Sequence, residues 1–174
     1  VATPPVNSKL PPTLISFAVA PIEADKVVSA EWKQAGSKLV VLPAACGEDG
    51  LPDFAALEAR WNLVAKLTGA KKILSAGVLR EGGLALALSR MSFGNWLGCR
   101  LADTLAATPS ALFDWNPGAL LLETTDAAAI DELLAAGGFI AGETTTESVI
   151  TVGSVKLPLE ALLAAWEAPL AKIF

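Results

Sequence analysis

The stretch Ser75-Ala-Gly-Val-Leu-Arg-Glu-Gly-Gly-Leu-Ala-Leu-Ala-Leu-Ser-Arg-Met-Ser-Phe-Gly-Asn-Trp-Leu-Gly98 passes from strand to turn to helix. Lys71 to Ala76 reads as a strand. Gly82-Gly83 reads as a tight turn, and Leu84, Leu88, Met91 and Phe93 then recur at helical spacing until Gly94-Asn95 stops the helix. Two readings of the turn stand side by side. A helix N-terminus offers unpaired backbone N–H groups and the positive end of the helix dipole, glycines allow an anion close to the chain, and Arg80 adds a charged donor. Glycine is equally what a left-handed turn needs for backbone reasons alone, and Glu81 suits the dipole but opposes a phosphate. Arg80, Glu81, Gly82 and Gly83 are therefore the candidate phosphate-binding residues, with a structural turn as the alternative.

Outward from this stretch, strands and helices interleave. Residues 1–12, with Pro4, Pro5, Pro11 and Pro12, read as a linker or lead-in arm. Thr13 to Ala20 reads as a strand stopped by Pro21, and Ser37 to Leu42 as a buried strand ended by Pro43. Asp53 is a good N-cap for a helix whose Phe54, Leu57, Trp61, Val64 and Leu67 share one face. Leu97 to Leu101 and Ala119 to Glu123 are strands around a polar loop. Asp126 caps a helix that runs to Gly137-Gly138. Phe139 to Thr144 and Val149 to Lys156 read as a strand pair, and Pro158 to Ile173 as an amphipathic closing helix, kinked or ended at Pro169. Residues 13–174 thus make one α+β domain, a mixed β-sheet with packed helices.

The totals narrow the function. Hydrophobic residues make up 53% of the 174 residues and mean hydropathy is +0.51, yet no apolar run reaches the roughly 18 residues a membrane span needs. The excess suits a second surface that meets another domain or subunit, or a self-associating face. A net charge of −5 excludes a nucleic-acid footprint. The chain has no histidine, the commonest general base and transition-metal ligand. No metal site and no catalytic residue is expected. Cys46 and Cys99 read as two buried, reduced thiols in a cytoplasmic protein. The opening Val1-Ala-Thr-Pro-Pro suggests a chain processed or cut from something longer.

Other polar groups read as structural. Asp114, Trp115 and Asn116 lie in a loop closed by Pro117-Gly118, with Phe113 and Trp115 as its anchors and an exposed site as the alternative. Glu123 reads as the exposed end of its strand rather than a buried carboxylate. Glu48, Asp49, Asp131 and Glu132 read as solvated, and Thr144 to Ser148 as a polar loop.

Several stretches together resemble a known family. Ser75-Ala, Glu81-Gly-Gly-Leu-Ala and Met91-Ser-Phe-Gly-Asn-Trp-Leu-Gly98 resemble the strand–turn–helix of the C-terminal-type domain of aminoimidazole ribonucleotide synthetase. Gly118-Ala-Leu-Leu-Leu-Glu123 resembles its next strand, and Ile150-Thr-Val-Gly-Ser-Val155 a strand region after its last turn. The ending Leu157-Pro-Leu-Glu160 with Trp166-Glu-Ala-Pro-Leu-Ala-Lys-Ile-Phe174 is similar to the close of this domain in the large form of phosphoribosylformylglycinamidine synthase. The resemblance implies a role in purine biosynthesis, where formylglycinamide ribonucleotide, ATP and glutamine-derived ammonia give formylglycinamidine ribonucleotide. It implies that ATP and Mg are held mainly by other synthetase domains and that ammonia comes from a glutaminase domain, both partners outside this chain. The family's turn reads His-Asp-x-Ser-Asp-Gly-Gly, and its serine and glycines face substrate phosphate. Here the turn reads Gly77-Val-Leu-Arg-Glu-Gly-Gly83, which keeps the acid and the two glycines and implies a non-catalytic copy. The alternatives are a domain of another ATP-dependent synthetase or kinase of the same superfamily, or a stand-alone binding or assembly module.

Overall fold

The structure is a computed structural model, and the residues described are 14–47, 51–114 and 116–171. The arm at 1–12, together with Thr13, Glu48, Asp49, Trp115 and Ile173, lies outside them. The elements in chain order are β1 (Lys38–Leu42), α1 (Phe54–Gly69), β2 (Ser75–Val78), α2 (Gly83–Phe93), β3 (Gly98–Leu101), α3 (Asp103–Ala107), β4 (Leu120–Thr124), α4 (Ala127–Ala135), β5 (Phe139–Thr145), β6 (Val149–Val152), β7 (Val155–Pro158) and α5 (Leu159–Glu167). Short 3-10 segments occur at Ala24–Lys26 and Pro109–Phe113. The strands form one seven-stranded sheet in the order β2-β4-β1-β5-β3-β6-β7. All neighbours are antiparallel except β3 and β6. This is the α+β, mixed-sheet architecture expected from the sequence.

Helices cover both faces of the sheet, and β1 shows why its sequence is apolar throughout. Leu39 and Val41 point into a core with Leu84, Leu88 and Met91 of α2 and Leu159 of α5. Val40 and Leu42 point the other way, against Val64 and Leu67 of α1 and Leu133 of α4. A strand with period-two geometry and two covered faces needs exactly such an uninterrupted run in place of alternation. The capping readings hold: the Asp53 carboxylate accepts from the Ala56 N–H at 3.1 Å and that of Asp126 from the Ala129 N–H at 2.7 Å. The Ala129 N–H, and then Lys72, hold the Asp126 carboxyl below its ordinary range.

Several expectations are corrected. The described part of the Thr13–Ala20 strand forms no strand, because no edge of this chain's own sheet receives it; Leu14, Ile15, Phe17 and Val19 are all exposed. The strand expected at 71–76 begins instead at Ser75, because Ala70 to Leu74 close α1 and cross to the sheet. The polar loop after β3 contains α3 and the Pro109–Phe113 turn. Phe139–Thr145 does not pair with the later strand, since β3 lies between β5 and β6, and 149–158 is a hairpin around Gly153, whose φ is +56°. Thr144 is buried at the end of β5: its hydroxyl accepts from the Ser37 N–H at 2.9 Å and donates to the Gln34 carbonyl at 2.7 Å. Cys99 is buried, and burial pushes its thiol up to about 12, but Cys46 is exposed in the connection after β1. Phe54 and Trp61 are exposed, and the Trp61 indole N–H instead donates to the Gly118 carbonyl at 3.1 Å.

The largest correction concerns Glu123, which is 0% exposed. Alternation along β4 places it on the face of Leu121, opposite Ser75 of β2. The irregular segment 29–34 lies over that face. The Glu123 carboxylate accepts from the Lys33 N–H at 2.8 Å, the Gln34 N–H at 3.2 Å and the Ser75 hydroxyl at 2.7 Å. Next to it Trp32 is fully buried, with its indole N–H donated to the Ser92 hydroxyl at 3.0 Å and its carbonyl accepting from the Asn95 amide at 2.9 Å. A buried carboxylate is tolerated when donors saturate it in this way. Glu123→Ala orphans three donors at once, and urea denaturation is expected to show a loss of about 3–5 kcal/mol.

Candidate functional site

The turn of the sequence motif follows β2 directly. Leu79 is buried and donates its N–H to the Ala119 carbonyl at 2.9 Å, which carries the β2–β4 pairing one residue past the strand. Arg80 and Glu81 then emerge into solvent. The chain turns back at once, with the Gly83 N–H donated to the Arg80 carbonyl at 2.8 Å. Gly82 and Gly83 have φ of +91° and +60°, two successive left-handed residues, and α2 starts at the second. Side chains raise the energy of that conformation, whereas glycine adopts it freely.

Gly83 is constrained by space as well as by φ. A Cβ there would lie 2.7 Å from the Leu112 carbonyl oxygen and 2.8 Å from the Asp114 carbonyl oxygen, both main-chain atoms. The Pro109–Phe113 turn thus rests on the start of α2, with Leu112 as its buried anchor. Phe113, expected to anchor that loop, is exposed instead, because the close approach is made by backbone. Asp114 is exposed as expected. Asn116 has a structural task, since its side-chain oxygen accepts from the Ala44 N–H at 2.7 Å, and Pro117-Gly118 close the turn.

The four candidate residues therefore sit together, with distinct surroundings. Gly82 borders an apolar cleft of 350 Å³ lined also by Leu86, Leu112, Phe113, Ile150 and Leu162. On that side an anion would meet hydrocarbon. On the other side the side-chain donor of the turn is the Arg80 guanidinium, which makes no ion pair with the described residues. No group of His, Cys, Asp and Glu suited to a metal ion occurs among the described residues. Asp131 is exposed and Glu132 pairs with Lys66 at 2.7 Å, in keeping with their solvated reading.

Sequence reasoning passed over Glu31 and Lys33, which flank the region from the other side. The Glu31 carboxylate accepts from Lys33 and from the Ser29 hydroxyl, the latter at 2.6 Å. The Lys33 contact chiefly, then that of Ser29, lowers its pKa to about 2. No spacing signal could have found this cluster, because it depends on how the irregular segment 29–34 folds back on itself.

Comparison with known proteins bears on the fold. No family model matches the chain, and no curated protein matches its sequence. Several solved structures share its α+β architecture. Phosphoribosylformylglycinamidine synthase II from Thermotoga maritima aligns with a TM-score of 0.65 at 17% identity, over 81% of this chain and 28% of that one. The T. maritima PurL complexed with ATP aligns with a TM-score of 0.68 at 17% identity, over the same shares of the two chains. The hydrogenase maturation protein HypE aligns more loosely, with a TM-score of 0.54 at 15% identity over 74% of this chain and 53% of its own. The chain thus spans little more than a quarter of the length of the synthase structures. No described helix is long and apolar enough to cross a membrane.

Two outcomes check this geometry. Gly83→Ala combines left-handed strain, about 1–2 kcal/mol, with a clash against backbone, and should cost clearly more than Gly36→Ala, where φ is +84° but the space is open. Chemical denaturation of both variants makes the comparison. The Glu31 carboxyl carbon should titrate near pH 2 by NMR and return towards the ordinary range in Lys33→Ala. The sign follows: with the folded value below the unfolded one, the stabilisation is complete above the unfolded value and fades as pH drops through about 2.

Proposed function

We propose that this chain is a domain of a phosphoribosylformylglycinamidine synthase-type enzyme, one that contributes scaffold and an interdomain face rather than the reacting groups. The fold likeness to the synthase structures and the sequence resemblance across the turn, β4 and the closing segment support the reading. The observation that carries the interdomain role is the apolar stretch ahead of β1. Leu14 is 97% and Phe17 87% exposed, and Ile15, Val19 and Ile22 accompany them. Ile15, Phe17 and Val19 alternate with Ser16, Ala18 and Ala20, a strand pattern without a place in this sheet. Such a stretch is at home against another domain.

The turn fits a non-catalytic role. The histidine of the family's motif is replaced by Gly77, and a Cβ at that position would lie 2.6 Å from the Met91 sulfur. The Met91 thioether thus takes the room that a side chain at position 77 would need. Under this reading Arg80, Glu81, Gly82 and Gly83 keep at most an anion contact with no turnover, while ATP, Mg and glutaminase chemistry belong to other domains of a cytoplasmic parent enzyme. A place in another superfamily enzyme is the second reading, favoured by the likeness to HypE.

The isolated chain is expected to sediment above its monomer mass of 17.9 kDa at micromolar concentration. The triple variant Ile15→Asp, Phe17→Asp, Val19→Asp should restore the monomer with an unchanged melting temperature, since these side chains lie outside both cores. A monomeric parent chain that gives identical sedimentation would overturn the interdomain face.

A further inference from the structure

The apolar cleft of 350 Å³ between α2, α5 and the outer strands has Leu86, Phe113, Ile150, Val152, Leu157 and Leu162 in its wall. Every residue that lines it is uncharged. Ser89 is the one hydroxyl among them, and it is spent on the Ala85 carbonyl at 2.9 Å. Phe113 and Leu157 leave hydrocarbon exposed at the cleft, as does Val155 two residues before Leu157. Contiguous apolar surface of this kind marks a place where something docks.

The cleft adjoins an open strand edge. β7 is the last strand of the sheet and pairs with β6 alone. Val152 and Val155 close the hairpin as its first pair, so alternation turns the Lys156 N–H and C=O away from β6. Pro158 has no N–H to offer, which keeps the free edge short and leaves most of the contact to side chains. An open edge beside an apolar cleft suits an extended segment: its main chain pairs with the strand and its alternate side chains fill the cleft. The opposite edge is less suited, because Ala76 of β2 already donates to the Ser29 carbonyl at 3.2 Å and Arg80 and Arg90 line the space beside it.

We propose that, when this chain self-associates, the cleft and the β7 edge receive residues 14–20 of a second copy, laid as a strand with Ile15, Phe17 and Val19 turned to the cleft. Residues 14–22 carry no charge, and neither does the cleft lining. Two copies that each carry a net charge of −5 repel, so their contact has to rest on uncharged surface. The stretch has the period of a strand and no edge in its own sheet, while β7 has an edge and no neighbour. Reciprocal exchange closes as a two-fold dimer. Large apolar side chains bury on the order of 150 Å² each, and two exchanged strands with their two seats reach roughly the 1,200–2,000 Å² of a stable interface. The proposal rests on the interdomain face proposed above and deepens it, by naming the surface that receives the stretch.

The test is sedimentation of the whole chain with Phe113→Asp and, separately, Leu157→Asp, two side chains outside both cores. Each is expected to raise the dimer dissociation constant about tenfold or more, as a charge placed in an apolar seat should. Phe54→Asp, also exposed but on α1 across the sheet, should leave association unchanged. The decisive sample mixes the triple variant at 15, 17 and 19, whose cleft is intact, with Phe113→Asp, whose leading stretch is intact. The mixture should sediment above either variant alone, because one stretch and one cleft still meet. In the parent chain the Lys156 amide should exchange more slowly than in the triple variant. Association that survives both cleft variants, or a mixture that stays monomeric, would overturn this seat while the interdomain face stands. A parent chain that is monomeric throughout would remove both.

Discussion

The Glu123 carboxylate is the constraint on which much of this domain depends. It sits in the sheet between β1 and β2, fully buried, and accepts from two backbone N–H groups and a serine hydroxyl. The backbone donors belong to a segment without regular structure, which has no ladder of its own to satisfy it. The carboxylate does for Lys33 and Gln34 what a neighbouring strand would do. With that segment fixed, Trp32 fills the core beside α2, Ser92 and Asn95 satisfy its polar groups, and Ser29 meets the edge of β2. The cost of burying a charge is offset only because all its donors arrive together. The clasp therefore selects one arrangement over its near alternatives, and the open remainder of the β2 edge follows from it.

The Gly82-Gly83 turn takes its shape from the backbone and its chemistry from its neighbours. Both glycines are demanded by φ, and Gly83 also by main-chain atoms of the following turn. A backbone requirement of this kind is independent of any ligand. The chemistry of the turn is set instead by its neighbours: Arg80 in front, Met91 against Gly77, and hydrocarbon along the cleft beside Gly82. The apolar excess in the composition has a matching source, for much of it lies ahead of β1 and on exposed side chains such as Phe113 and Trp166 rather than in the two cores.

The elements legible from the sequence were those governed by short-range rules. Asp53 and Asp126 cap helices because a carboxylate two or three residues ahead of free N–H groups needs no distant partner. Leu84, Leu88 and Met91 lie inward because helical spacing alone aligns them. The misreadings involve partners far along the chain. Leu14–Ala20 has every local property of a strand but no edge to join here. Glu123 looked like a strand end because its backbone donors, Lys33 and Gln34, lie 90 and 89 positions earlier and its third, Ser75, lies 48. β5 and β6 looked like neighbours because β3, which separates them, precedes both.

The sequence by itself determined the α+β class, the capped helices, the twice-buried β1 and the place of the glycine turn, because period, capping and φ preference act over a few residues. Strand order, the burial of Glu123 and the exposure of Cys46 came from tertiary packing. Each depends on which surfaces meet across the chain, and that outcome belongs to the summed burial and hydrogen bonding of the whole domain rather than to any local pattern.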